Sequence, residues 1–142
     1  MKRVPTNSHP AVNETRLRVR YAETDQMGVV YHSNHFVWFE IGRVELLRQL
    51  GFSYREMESE DQCYIAVVDA RCRYRAPARY DDEIEVRTEG RMLSPVRIEF
   101  QYKVFRRDDQ VLTASGRTVH AALDPHGRPC RLPERIREVF AS

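Results

Sequence analysis

Between Tyr21 and Glu40 the chain runs YAETDQMGVVYHSNHFVWFE. Two carboxylates, Glu23 and Asp25, a glycine, Gly28, and the pair Tyr31-His32 stand just ahead of a strongly apolar run. A carboxylate near the start of a helix has two uses. It can complement the positive end of the helix dipole, worth ~0.3–1 kcal/mol. Alternatively, it can act as a base or nucleophile beside backbone N–H groups that have no intrahelical partner and readily receive an anion. Hydrolysis of an acyl compound needs that second combination, a base or nucleophile plus donors aimed at the tetrahedral oxygen. One such donor is worth ~3–4 kcal/mol in comparable enzymes. Asp25 is the candidate carboxylate, and the N–H groups around Tyr31, His32 and Ser33 are the candidate donors. Glu23 can share a side with Asp25, where a like charge favours protonation of one partner.

Other residue types offer weaker chemistry. His32 and His35 are three apart and can share a ligand-facing side, with Glu40 the nearest further ligand. A zinc site needs a convergent third and fourth ligand, and no HExxH or cysteine pair is present; no metal is expected. Cys63, Cys72 and Cys130 are widely spaced and odd in number, which suits reduced thiols rather than a disulfide framework. Cys63 and Cys72 fall where burial is expected and serve as small hydrophobes. His120 and His126 are expected to be solvent-exposed or locally satisfied. Arg16, Arg18 and Arg20, then Arg71, Arg73 and Arg75, form basic stripes on outward strand faces, either solvated or suited to phosphate groups on a ligand.

These residues need elements to hold them. Leu17, Val19 and Tyr21 alternate with Arg18 and Arg20, as in a half-buried strand. From Ser33 to Leu50 the apolar residues follow a helical pattern, with Ser33 or Asn34 as N-cap and Gly51 as the stop. Their spread around the helix implies burial on several sides. Gly42 in its interior costs about 1 kcal/mol of propensity relative to Ala, which a close packing partner would justify. Glu40 and Arg43 have the spacing of an i,i+3 pair. Four strands joined by short turns follow: YIAVVDARCRYRAP, DEIEVRTE, VRIEFQYKV and VLTASGRTVHAAL. After Pro125, Gly127 and Pro129, a short helix, ERIREVF, closes the chain. Strands joined by short turns are antiparallel, so the expected architecture is α+β, one antiparallel sheet on one long helix. A single helix cannot easily cover five strands, so a homodimer or homotetramer is expected.

The 142 residues suit one domain, assigned to residues 14–142, with residues 1–13 as a flexible tail. Lys and Arg total 23 against 21 Asp and Glu, too balanced to suggest nucleic-acid binding. No apolar run approaches a membrane span and no secretory signal is evident, so a cytoplasmic protein is expected.

The segments ETDQMGVVYHSNHFVWFE, AVVDARCRYRAPARYDDEIEVRTE and LPERI together resemble the 4-hydroxybenzoyl-CoA thioesterase-like branch of the hotdog-fold acyl-CoA thioesterases. The similarity is closest to the bacterial acyl-CoA thioester hydrolases encoded beside the Tol–Pal system, and it spans roughly residues 14–140. It implies a hotdog fold, in which a five-stranded antiparallel sheet wraps a long central helix. It also implies hydrolysis of an acyl-CoA or acyl-carrier-protein thioester without metal or redox cofactor. Asp25 would then be nucleophile or general base, and the His32 backbone N–H would polarise the thioester carbonyl. Tyr31 would line the site beside Gly28 and Val29, at a dimer interface. His35 stands where relatives often carry an aromatic residue, and EGRMLSPVR lacks the compact basic cluster of some relatives. Arg91 and Arg97 flank that segment and are the candidate contacts for CoA phosphates. The alternatives are a non-catalytic acyl-CoA or acyl-carrier-protein binding module and, ranking lower, an enoyl-thioester hydratase, which uses a His–carboxylate pair in another motif context.

Overall fold

The structure is a computed structural model that describes residues 11–141. Five strands form one sheet: β1 (Ala11–Arg18), β2 (Tyr64–Tyr74), β3 (Glu83–Ser94), β4 (Arg97–Arg106) and β5 (Val111–Leu123). Their spatial order is β1-β3-β4-β5-β2, and every pairing is antiparallel. The helices are α1 (Asn34–Gln49), α2 (Tyr54–Ser59) and α3 (Glu134–Ala141). The α+β architecture expected from the pattern is the one observed.

The first strand differs from expectation at both ends. It begins at Ala11, because residues 11–13 pair with Gly90, Glu89 and Thr88 of β3. The expected tail therefore loses those three residues, and its remainder lies outside the described residues. At the other end, Val19 N–H still reaches the Asp82 carbonyl at 2.9 Å, after which the chain turns away. Tyr21–Glu23 forms a 3-10 turn, and Tyr21 is 77% exposed with its ring edge-on to Tyr80. Without a paired neighbour strand, alternation alone cannot continue the ladder.

α1 is buried along much of its length. Trp38, Phe39 and Leu46 are fully enclosed, each side chain contributing ~1.5–3 kcal/mol of burial. Phe39 stacks on Tyr102 of β4 with ring centroids 4.2 Å apart. Gly42 lets β3 approach: a Cβ there would lie 2.3 Å from Thr88 Oγ1 and 3.0 Å from Val86 Cγ1. Gly51 ends the helix at a φ of 90°, in the left-handed region that glycine adopts without strain.

One expected side-chain role changes and another is narrowed. Arg43 does not pair with Glu40; it donates to the hydroxyls of Tyr54 (3.1 Å) and Tyr102 (3.5 Å), because its face of α1 is turned inward. Of the two expectations for His120, local satisfaction holds and exposure does not. His120 is 1% exposed on β5, with Nε2 2.8 Å from Thr118 Oγ1, which also contacts the Tyr102 hydroxyl at 2.6 Å.

β2 is an edge strand whose outer side pairs with nothing among the described residues. Val68 interrupts its register with β5, and Tyr64, Val67, Val68 and Tyr74 are all substantially exposed.

Candidate active site

The segment from Thr24 to Val30 is a tight reversal. Thr24 and Val30 form an antiparallel bridge, Asp25 N–H donates to the Val29 carbonyl (2.9 Å), and Gly28 N–H donates to the Asp25 carbonyl (2.9 Å). Gly28 has a φ of 80°, so the turn itself requires glycine there. Asp25 Oδ1 accepts from the N–H groups of Met27 (2.9 Å) and Val29 (3.4 Å). Those bonds orient the carboxylate and leave Oδ2 without a partner among the described residues. Val29 bridges to Arg79 and Val30 N–H reaches the Ala78 carbonyl, which fastens the reversal to the segment before β3.

Helix α1 starts immediately afterwards. The N–H groups of Asn34, His35 and Phe36 donate to the carbonyls of Tyr31, His32 and Ser33 at 3.0–3.2 Å. Ser33 occupies the N-cap position with a helical backbone, and its hydroxyl caps nothing. Asn34 turns its side-chain amide to the Glu23 carbonyl instead (3.0 Å). Among the described residues, none accepts from the N–H of His32 or of Ser33. These donors sit at the positive end of the helix, where an anionic oxygen is favoured.

The histidines divide. His32 is exposed, with its ring 4.3 Å from that of Tyr31. His35 is buried against Trp38 and Tyr74, at 4.9 Å from each ring, and its Nδ1 donates to the His32 carbonyl (3.1 Å). Burial pulls its pKa below the usual range, and the bond to His32 only partly offsets this, so the ring is neutral.

Tyr31, His32, Gly28 and Val29 are thus brought into one neighbourhood with Asp25, whereas Arg91 and Arg97 are not. The row Thr15–Val86–Val104–Ala114–Tyr74 crosses the sheet at the strand end reached by the start of α1. Arg91 lies five residues further along β3, about 17 Å away. It is also engaged by the buried Glu99 carboxylate (2.8 Å). Burial opposes the charge on Glu99, but hydrogen bonds from Arg117, Arg91 and Gln101 outweigh it and hold its carboxyl below the usual range. Arg97 stands in the row of Ala121 and Ala66, further still from Asp25. A groove of about 640 Å3 is on the sheet's outer face between Arg73, Arg87, Lys103 and Arg117; it does not include Asp25, Tyr31 or His32.

Sequence reasoning missed two contacts here. Glu23 was placed beside Asp25, but its side chain turns inward, 4% exposed, to the indole of Trp38. Tyr74 at the end of β2 donates its hydroxyl to the His32 carbonyl (2.9 Å). Neither contact leaves a local signal, because each joins separate elements.

One antiparallel sheet wrapped around a single helix, with a carboxylate loop leading into that helix, defines a hotdog-fold protein. The chain belongs to the thioesterase-like superfamily, whose family model matches residues 19–140. It is 31% identical over 125 residues to the acyl-CoA thioester hydrolase YbgC of Escherichia coli O6:H1, an alignment covering 87% of this chain and 92% of that protein. The crystal structure of hypothetical protein TT1821 from Thermus thermophilus matches at a TM-score of 0.83 and 40% identity, covering 92% of this chain and 95% of that one. A DHNA-CoA thioesterase from Staphylococcus aureus also gives 0.83, at 31% identity, covering 92% and 91%.

Proposed function

We propose that this protein hydrolyses acyl-CoA thioesters, with Asp25 as nucleophile or general base and the start of α1 as the oxyanion site. The observation that carries the reading is the pairing of a carboxylate fixed through one oxygen with two unengaged N–H groups at a helix start. Similarity to YbgC and to the DHNA-CoA thioesterase supports the thioester as the bond broken.

The substrate carbonyl oxygen accepts from His32 N–H and gathers negative charge as the tetrahedral intermediate forms. Asp25 Oδ2 either attacks the carbonyl carbon or takes a proton from the attacking water. Collapse expels CoA as thiolate, and water hydrolyses the anhydride if one formed. Tyr31, Gly28 and Val29 line the approach.

The site is completed, in this reading, by a second copy of the chain. β2 offers 11 residues of unpaired edge with exposed apolar side chains, an arrangement that unpartnered proteins avoid. Antiparallel pairing of two β2 strands sets one copy's Ala66 row beside the other's Tyr74 end. Arg97, too far from Asp25 within one chain, can serve this site only from the second copy. Three free thiols fit a reducing compartment such as the cytoplasm.

Free-thiol release from short, aromatic and long acyl-CoAs, and from acyl-carrier protein, tests the reading. Asp25→Asn and Asp25→Ala should lower kcat by about 10²–10⁴-fold, and His32→Ala far less, because its contribution is through the main chain. Absence of turnover on every substrate would favour a binding module. Full activity of the Asn variant would remove Asp25 from the mechanism.

A further inference from the structure

Glu23 is a buried carboxylate on which the proposed mechanism makes no demand. Its Oε1 accepts from the Arg20 N–H (2.8 Å), and its Oε2 accepts from Trp38 Nε1 (3.1 Å) and Arg20 Nη2 (3.3 Å). Its main-chain carbonyl accepts from Tyr31 N–H (2.8 Å) and from the Asn34 side-chain amide (3.0 Å). Removing a carboxylate from water is unfavourable unless donors replace the water. An apolar side chain would fill the same space more cheaply, but it would orient nothing.

The connectivity shows what this expense achieves. Asp25 and His32 lie on one segment, residues 24–33, whose two ends both converge on Glu23. The side chain of Glu23 fixes the incoming end to the fully buried indole of Trp38, one turn inside α1. Its carbonyl fixes the outgoing end at Tyr31 and Asn34. We infer that Glu23 is a positioning residue, setting the separation between the Asp25 carboxylate and the N–H groups at the start of α1 through its bond to Trp38. It touches neither substrate nor reacting atoms. This role rests on the hydrolase reading above.

The contacts also specify ionised glutamate. Every side-chain partner of Glu23 is a donor, and glutamine would turn an NH2 group toward either the Arg20 N–H or the Trp38 Nε1–H. Glu23→Gln should therefore disturb the strut despite its nearly identical shape. A misplacement of about 1 Å can cost 10²-fold in rate. The expected loss in kcat is accordingly about 10- to 100-fold, with KM little changed. In Trp38→Phe the carboxylate keeps Arg20 but loses its tie to α1, and kcat should fall by about 3- to 10-fold. The double variant should be less impaired than the product of the two losses, because removing the indole N–H relieves the mismatch.

Steady-state kinetics on the best acyl-CoA, with wild type, Asp25→Asn, Glu23→Gln, Trp38→Phe and the double variant, tests this at temperatures where each is folded. Trp38 is the only tryptophan, so its fluorescence reports the same contact directly. Excitation moves electron density away from the indole nitrogen, and loss of the neighbouring negative charge should shift emission to the blue. Amide exchange at Tyr31 should quicken in Glu23→Gln and Trp38→Phe. If Asp25→Asn is inactive while Glu23→Gln keeps wild-type kcat and exchange, the positioning role is wrong and the hydrolase reading stands. If the wild type itself does not turn over, the hydrolase reading fails, and unchanged Tyr31 exchange in the variants would refute the strut separately. Should Glu23→Gln fail to fold, Trp38→Phe decides the matter by kcat and exchange.

Discussion

The hydroxyl of Tyr74 lies 2.9 Å from the carbonyl oxygen of His32, tying the last residue of the edge strand to the turn that leads into α1. His35 Nδ1 donates to the same oxygen. Because a peptide unit is planar, fixing the His32 carbonyl also fixes the direction of the Ser33 N–H in the same plane. Burial, then the neighbouring Cys72 thiol, pushes the Tyr74 phenol up to about 12, so it remains a donor throughout the neutral range.

Tyr74→Phe should therefore loosen the Ser33 N–H of the proposed oxyanion site while leaving the ring contacts to His32 and His35 in place. A net hydrogen bond is worth about 0.5–1.5 kcal/mol, which corresponds to a loss of roughly 2- to 10-fold in kcat. Thiol-release kinetics beside urea unfolding separate the two effects. A fall in stability with unchanged kcat would show that the bond holds the fold and not the donor.

Gly42→Ala tests the packing of α1 on β3. The new methyl would meet Thr88 Oγ1 at 2.3 Å and Val86 Cγ1 at 3.0 Å, too close for either to remain where it is. Alanine's better helix propensity offers about 1 kcal/mol, but overpacking costs about 1–3 kcal/mol. The variant should be less stable by urea titration. Thr88 Oγ1 is buried and has no hydrogen-bond partner, so adding Thr88→Ala should recover much of the loss.

That clash was half legible. A glycine within an otherwise strong helix implied a close neighbour, but sequence could not identify Thr88, 46 positions away. The same division holds elsewhere. α1, its stop at Gly51 and the antiparallel strands follow from period and turn chemistry, which are local. Asp25, Gly28 and the unpaired N–H groups at His32 and Ser33 lie on one short segment, so the chemistry of their neighbourhood was also local. The inward turn of Glu23 to Trp38, the reach of Tyr74 to His32 and the choice of tyrosines by Arg43 depend on which faces of separate elements meet. Spacing along the chain carries no record of that.

His120 makes stability depend on pH. Burial, reinforced by the positive charge of Arg43, lowers its pKa from 6.5 to about 3. Below pH 6.5 the unfolded chain binds a proton at His120 that the folded protein refuses until about pH 3. Its contribution is therefore intact above pH 6.5 and is lost as pH falls through that window, by up to about 1.4 kcal/mol per pH unit. His120→Gln, which can still bond Thr118, should flatten the stability profile between pH 6 and about 4. Urea midpoints measured across that range, against wild type, give the comparison. Parallel curves would mean that another group carries the acid sensitivity.

Subunit complementation tests whether one site draws on two copies. If Asp25 comes from one chain and Arg97 from the other, Asp25→Asn damages one site directly, and Arg97→Glu damages the site that it reaches across the β2 edge. In a heterodimer of the two variants, one site carries both lesions and the other carries neither. Random reassortment of subunits makes about half of all dimers mixed, so activity should return to about a quarter of wild type. The Arg97→Glu homodimer must first show a clear loss, most of it in KM for acyl-CoA, because a phosphate contact remote from the reacting carbon supplies binding rather than chemistry. Val67→Asp places a charge on the exposed β2 edge and should yield monomers with little turnover, as read by sedimentation and thiol release. A monomeric variant with full kcat would show that each chain is catalytically complete. Failure of the mixed dimers to recover activity, with both parents impaired, would place Asp25 and Arg97 of the same chain at one site.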